Sequence, residues 1–260
     1  MGMISLTLVR TDIDDPLLAR RTAALAPAEQ ARAARFRHAA DRRRHGVARS
    51  VLKTMLADHL GCAPHALRFE TGPFGKPALA ADLAARDVAP PHFNLSHSGD
   101  LALIALAPVP VGVDLERDTP VDAQALAQAW FTPAEQARLA QGQEDFLSLW
   151  TAREAVLKAA GTGLSADPMA FRVPPADRRS TFAPVQMLSA DASFAGMLVA
   201  ALALSGVDWI PPALTAPYRA AVAVRGHAMP VVLAGIDANA IAARGTLRAA
   251  ACAGALCTTH

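Results

Sequence analysis

The 260-residue chain lacks most of what would tie it to a membrane, an oxidising compartment or a polyanion coat. Its three cysteines are Cys62, Cys252 and Cys257, an odd count with one far from the other two. That excludes a disulfide framework and fits a reducing compartment. Cys252, Cys257 and His260 are not read as a metal site, because no CxxC and no fourth ligand accompany them. Aromatic residues make up only 5%, with no interleaving of aromatics and cations of the kind that stacks nucleic-acid bases. The apolar stretches Leu101–Val113 and Phe194–Val207 fall short of the ~20 residues a spanning helix needs, and Pro108 and Pro110 break the first. Met1–Val9 meets Arg10, Asp12, Asp14 and Asp15 at once, so no secretory h-region is expected and the location is read as cytoplasmic. Net charge is scarce too. The balance of 25 Lys+Arg against 23 Asp+Glu leaves +2, which argues against non-specific nucleic-acid binding.

What is present is apolar: 52% hydrophobic residues against 18% charged is ample surface to bury, so the chain is not intrinsically disordered. The length admits one large domain or two smaller ones. Charge is unevenly spread. Eight Lys/Arg and one acid, Asp41, lie between Arg32 and Lys53, so a +7 segment sits in a chain that is otherwise −5.

The pattern predicts a strand at Met3–Val9, then helices at Ala28–Phe36, with Pro27 in the first turn, and Ala40–Leu60, stopped by Gly61 and Pro64. Short strands follow near Leu67–Thr71 and Phe93–Ser98. Gly99-Asp100 turns the latter into Leu101–Ala107, a hairpin signal. Pro108–Val111 reads as a linker into a strand, Val111–Glu116. Helices at Asp122–Trp130, Pro133–Gln141 (Thr132 as N-cap) and Glu144–Ala160 (ended by Gly161) precede strands near Val185–Leu188, Met197–Leu204 and Ala220–Val224. Both halves thus read as helices followed by a small antiparallel sheet: residues 1–110, then 111–225. Residues 226–260 read as an Ala-rich appendage.

Four segments carry chemistry. In Val111-Gly-Val-Asp-Leu-Glu116, strand alternation puts Asp114 and Glu116 on one face, where two carboxylates stay ionised only with a cation near them. Oxygen ligands from one or two carboxylates, completed by water and phosphate, are what Mg²⁺ accepts; a solvated acidic strand end is the bland alternative. Trp150, Glu154 and Lys158 recur at i, i+4 and i+8 on one helix face. They form either an ordinary Glu–Lys pair beside a core tryptophan, or a third metal-side oxygen and base with a cation one turn on. Phe93-Asn-Leu-Ser-His-Ser-Gly99 is no hydrolase triad, since strand neighbours face opposite ways and no G-x-S-x-G elbow frames a serine. Ser96 and His97 could instead meet phosphate oxygens. Gly72-Pro-Phe-Gly-Lys-Pro77 is a turn cluster without Walker spacing, and matters only if Lys76 reaches an anion. Arg42, Arg49 and Lys53 share a helix face, usually a solvated basic one. Cations from three segments and carboxylates from another together suit a phosphate-rich ligand with bound Mg²⁺.

Gly75-Lys76-Pro77, Phe93-Asn94-Leu95-Ser96-His97-Ser98, Gly112-Val113-Asp114-Leu115-Glu116 and Trp150-Thr-Ala-Arg-Glu-Ala-Val-Leu-Lys158 occur in that order. In this the chain resembles the 4′-phosphopantetheinyl transferase superfamily, of the long, surfactin-synthetase-activating type. Phe131-Thr-Pro-Ala-Glu135 and Gly161-Thr-Gly-Leu164 also resemble family segments, and the likeness covers roughly residues 3 to 225. The resemblance implies an α+β fold of two similar halves, each a small antiparallel sheet with packed helices, related by a pseudo-twofold. Coenzyme A would lie between the halves. The implied reaction moves 4′-phosphopantetheine from coenzyme A to a serine of an apo acyl or peptidyl carrier protein, releasing adenosine 3′,5′-bisphosphate. Asp114, Glu116 and Glu154 match the Mg²⁺-binding acids, and Glu154 and Lys158 the catalytic base and acid. Lys76, Ser96, His97, Arg44 and Arg49 fall where the family meets coenzyme A, with Arg32 a weaker candidate. Arg153 stands where the family usually has lysine, and is expected on a coenzyme A phosphate with altered geometry. A monomer is expected, with neither nucleic acid nor membrane as partner. The segment Phe131–Phe146, with Arg138 and Leu139 read as exposed, is the expected carrier docking face. A Mg²⁺-dependent phosphohydrolase of coenzyme A or nucleotides would use the same acids, and a basic nucleic-acid-binding module would explain only the Arg32–Lys53 cluster.

Overall fold

The structure, a computed structural model, describes residues 2–23, 25–80, 89–204, 215, 217–237 and 250–251. In chain order the elements are β1 (Ile4–Arg10), α1 (Asp15–Ala23), α2 (Pro27–Ala34), α3 (Ala39–Leu60), β2 (Phe69–Thr71), β3 (Pro77–Leu79), β4 (His92–Ser98), β5 (Leu101–Ala107) and β6 (Val111–Arg117). Then come α4 (Ala123–Trp130), α5 (Pro133–Ala140), α6 (Phe146–Ala160), β7 (Phe171–Arg172), β8 (Ala183–Pro184), β9 (Gln186–Met187), β10 (Met197–Ala201), β11 (Tyr218–Arg225), β12 (Val231–Asp237) and β13 (Ala250–Ala251).

Two sheets stack between two helices. The first runs β13-β12-β1-β5-β4 and the second β6-β11-β10-β8. Their facing sides share one core, with Leu6, Leu8 and Leu103 meeting Val113, Leu115 and Val222. On the outer side of the first sheet lies α3, whose Val47, Val51 and Leu56 pack on Phe93 and Ile104. On the outer side of the second lies α6, through Ala152, Ala155 and Ala159. The small residues of α6 let it ride close to the sheet. At Gly112 a methyl group would overlap the Ala155 carbonyl oxygen and the Ala159 nitrogen, so only glycine permits this approach.

Caps fix the helix ends. Asp145 accepts from Ser148 N–H to start α6, and Gly161 closes it at φ +78°. Thr132 and Glu135 form a capping box on α5. Gly99, at φ +52°, turns β4 into β5 in the expected register, with Ser98 opposite Leu101.

The α+β, two-half architecture is as expected, with three departures. Helix α1 has no strong sequence signal: Asp14 caps it by accepting from Leu17 N–H, but Leu17 is its one buried residue. The pair β2–β3 forms a separate two-stranded hairpin. The chain after Arg225 is not only an appendage. Val231–Asp237 returns as β12, parallel to β1 in the N-terminal sheet, with Val231, Ala234 and Ile236 buried. A buried strand made of short aliphatic residues looks like an Ala-rich tail until its pairing edge on β1 is known. Cys252, Cys257 and His260 lie outside the described residues. Among the described residues no helix is long and apolar enough to cross a membrane.

Candidate active site

The seam between the sheets is built from side chains. Strand β4 presents Asn94, Ser96 and Ser98 on alternate positions toward β6. Asn94 Oδ1 accepts from Val113 N–H (2.9 Å), Ser96 Oγ from Leu115 N–H (3.2 Å) and Ser98 Oγ from Arg117 N–H (3.1 Å). Three side-chain oxygens thus do for β6 what a neighbouring strand's carbonyls would do. The two serines donate onward, Ser96 to Asp114 Oδ1 and Ser98 to Glu116 Oε2, each at 2.9 Å. The same hydroxyls therefore join the halves and aim the carboxylates.

A cleft of about 620 Å³ opens beside this seam, with Arg32, His45 and Arg49 on one side and Asp114, Glu116 and Glu154 on the other. Asp114 is 1% exposed. Its Oδ1 also accepts from Lys158 Nζ (2.6 Å), which in turn donates to Ser96 Oγ (3.1 Å). Burial opposes the charge on Lys158, but Asp114 and the two glutamates hold its pKa above the ordinary value. Burial pushes Glu154 up to about 7, and Asp114 and Glu116 reinforce that against the pull of Lys158. Glu116 is raised as well, by burial and then by Asp114. One ammonium thus serves three crowded carboxylates.

Asp114 Oδ2 is buried without a hydrogen-bond partner, beside two glutamates whose charge Lys158 offsets only in part. That suits a hard cation completed by water and phosphate oxygens. Among the described residues no three His, Cys, Asp or Glu side chains form a closed metal-holding group, so the protein offers part of a coordination shell rather than a cage.

On the opposite side, burial keeps His45 (pKa about 4) and His97 below their ordinary value, and each is further lowered by neighbouring positive charge. The two rings meet edge to face at 6.5 Å. Arg49 lies over the Phe69 ring at 3.7 Å while its Nε donates to Glu29 (2.6 Å). Arg32 is exposed on the rim. His45, Phe69 and Glu29 escaped the sequence reading. For His45 a signal existed, since it precedes Arg49 by one helical turn, but the basic run concealed it.

The cleft gathers Asp114, Glu116, Glu154, Lys158, Ser96, His97 and Arg49. Three expected coenzyme A contacts are elsewhere. Arg44 pairs with Asp41 and donates to the Gly99 carbonyl (2.8 Å), so it braces the β4–β5 turn. Lys76 gives all three protons to backbone carbonyls, those of Val111 (3.1 Å), Lys158 (2.6 Å) and Ala159 (3.3 Å). Arg153 is 3% exposed and turns away from the cleft. It donates to both oxygens of Glu135 (3.0 and 2.8 Å), to the Phe171 carbonyl (3.2 Å) and to the Pro168 carbonyl. Its position next to Glu154 on a helix sends the two side chains about 100° apart, and the Glu135 pocket takes the guanidinium. Arg138 is not exposed either, being held by Glu144 (3.1 Å) and the Val173 carbonyl.

Comparison with known proteins covers both halves. Residues 110–196 match the family described as the 4′-phosphopantetheinyl transferase superfamily, and residues 14–109 match 4′-phosphopantetheinyl transferase, N-terminal. The chain is 37% identical over 167 residues to the 4′-phosphopantetheinyl transferase HetI of Nostoc sp., covering 61% of this chain and 69% of that one. It is 32% identical over 162 residues to a 4′-phosphopantetheinyl transferase of Bacillus subtilis, covering 59% and 69%. It is also 38% identical over 159 residues to a Synechocystis sp. protein that carries the transferase name provisionally, covering 58% of this chain and 63% of that relative's length.

Proposed function

The chain belongs to the 4′-phosphopantetheinyl transferase superfamily, and on that premise we propose that it moves the 4′-phosphopantetheine group of coenzyme A to a serine of an apo carrier protein. The observation that carries this reading is the cleft between the halves, where carboxylates with raised pKa values and one shared ammonium stand across from arginines and neutral histidines. Such a cleft can take a polyphosphate at one end and manage a proton at the other.

The reaction forms a bond from the serine oxygen to phosphorus and breaks the pyrophosphate linkage, releasing adenosine 3′,5′-bisphosphate. Glu154, with a pKa of about 7, exchanges its proton near neutrality, so it can take the serine proton directly or through a water. Lys158, kept charged by Asp114, faces the departing phosphate and stabilises or protonates it. Ser96 and Ser98 hold Asp114 and Glu116 in place while charge moves. Arg32 and Arg49 supply positive charge at the far wall, and the neutral His97 a ring hydrogen-bonding group. Asp114 and Glu116, with Glu154 beside them, would hold Mg²⁺, which when bound offsets the charge building on the pyrophosphate oxygens.

Both walls of the cleft come from one chain, which supports a monomer as the active unit. The cysteine usage supports a reducing compartment, the cytoplasm. The test is incubation with coenzyme A, Mg²⁺ and apo carrier proteins, read by intact mass of the carrier. Gain of one phosphopantetheine is expected. Cleavage of coenzyme A at the same rate without any carrier would instead indicate a phosphohydrolase.

A further inference from the structure

Lys76 is an unusual lysine. It closes the turn of the β2–β3 hairpin, just before Pro77, and Phe69, Thr71 and Pro77 of that hairpin line the cleft. Its own side chain leaves that cleft and crosses to the C-terminal half. There its ammonium donates three hydrogen bonds, two to the Lys158 and Ala159 carbonyls in the last turn of α6 and one to the Val111 carbonyl at the start of β6. Carbonyls at a helix C-terminus lack intrahelical partners and carry the negative end of the helix dipole, so a cation is the natural cap. The path is tight: a methyl group on Gly161 would lie 3.4 Å from the Lys76 side chain. The charge is held there against resistance, since burial, and then Arg225, brings its pKa down to about 8. With three protons on three carbonyls, this ammonium has no donor left for a phosphate.

We propose that Lys76 is a positioning residue, which caps α6 and so fixes Lys158 against Asp114, tying the hairpin on the cleft rim to the reacting end of the cleft. A coenzyme A contact would put the loss in ligand affinity. A cap puts it in turnover, because the backbone of Lys158 is what Lys76 grips. The kinetic part of this inference rests on the transferase reading; the exchange part does not.

The experiment compares wild type with Lys76→Met and Lys76→Arg in three ways: kcat, coenzyme A affinity by calorimetry, and amide hydrogen exchange of the segment 150–165. Arginine keeps the charge, but its planar fork does not direct three donors as the ammonium does. Lys76→Met is expected to lower kcat about tenfold, with coenzyme A affinity within about twofold and faster exchange confined to the end of α6. Lys76→Arg gives the same pattern at smaller size, and decides the matter if Lys76→Met does not fold. A loss confined to coenzyme A affinity, or unchanged exchange at the end of α6, overturns the proposal. If wild type transfers nothing, the transferase reading fails while the exchange result still judges the cap.

Discussion

Helix α6 separates two charged clusters of opposite character. On one side Glu135 accepts from Thr132 N–H (2.8 Å), the Thr132 hydroxyl (2.7 Å), Val173 N–H (3.0 Å) and Arg153, all buried. Next to it Glu144 is shared by Arg138 and Arg179. There each carboxylate has at least one guanidinium to itself. On the other side Asp114, Glu116 and Glu154 share Lys158, Asp114 keeps an unpartnered oxygen, and both glutamates are raised. The first cluster holds the fold, because each carboxylate meets a guanidinium when the chain closes, although Arg179 Nε is itself buried without a partner. The starved one is compensated only when something else arrives, which makes it the site. Arg153 and Glu154 are sequence neighbours and belong to different clusters.

The difference can be broken by substitution. Asp114→Ala and Glu154→Ala should abolish transfer, with losses of at least about 10²–10⁴-fold for the base; Glu154→Ala should melt within a few degrees of wild type, and Asp114→Ala lower, because it leaves Lys158 without its ion-pair partner. Carrier mass after timed incubation, with a melting curve, checks both. Glu135→Ala should do the reverse. It strands a buried guanidinium and should destabilise by about 3–5 kcal/mol in denaturant unfolding, with transfer surviving in the fraction that folds. Lys158→Ala should lower kcat by about 10–100-fold and coenzyme A affinity far less, seen by comparing turnover with calorimetry.

Acidity sharpens the same contrast. Glu154 titrates at about 7 in the folded chain, against 4.5 ordinarily. Between those values the folded state keeps a proton that the unfolded chain has released. Its contribution to the stability of the metal-free chain therefore falls as pH rises from about 4.5 to about 7. Melting curves of the metal-free protein across that window should show the slope in wild type and a shallower one in Glu154→Gln, where the raised Glu116 still contributes. The smallest effect belongs to Arg44→Ala. That guanidinium is engaged by Asp41 and Gly99, so coenzyme A affinity should stay within about twofold by calorimetry.

These clusters explain what could be read from the sequence. Alternation on β6 and the i, i+4 repeat on α6 are local rules, so Asp114 with Glu116, and Glu154 with Lys158, were legible as facing pairs. The two-half fold was legible because caps, the Gly99 turn and Pro108–Pro110 are local as well. Arg44, Lys76 and Arg153 are expected on the ligand from the family resemblance, which gives positions in the chain and not the partners each charge finds on folding. Their partners are Gly99, the end of α6 and Glu135, distant in the chain and joined only by folding. Strand β12 was missed for the same reason, its edge on β1 being more than two hundred residues away.

The most direct measurement sets Glu154→Gln beside Glu135→Gln, scoring each for carrier modification with coenzyme A and Mg²⁺ and for melting temperature. Glu154→Gln should melt at or above wild type and leave the carrier unmodified, and Glu135→Gln should melt well below it and still modify the carrier when folded. Wild-type transfer by Glu154→Gln, or its loss in well-folded Glu135→Gln, would contradict the division between a cluster that holds the fold and a cluster that does the chemistry.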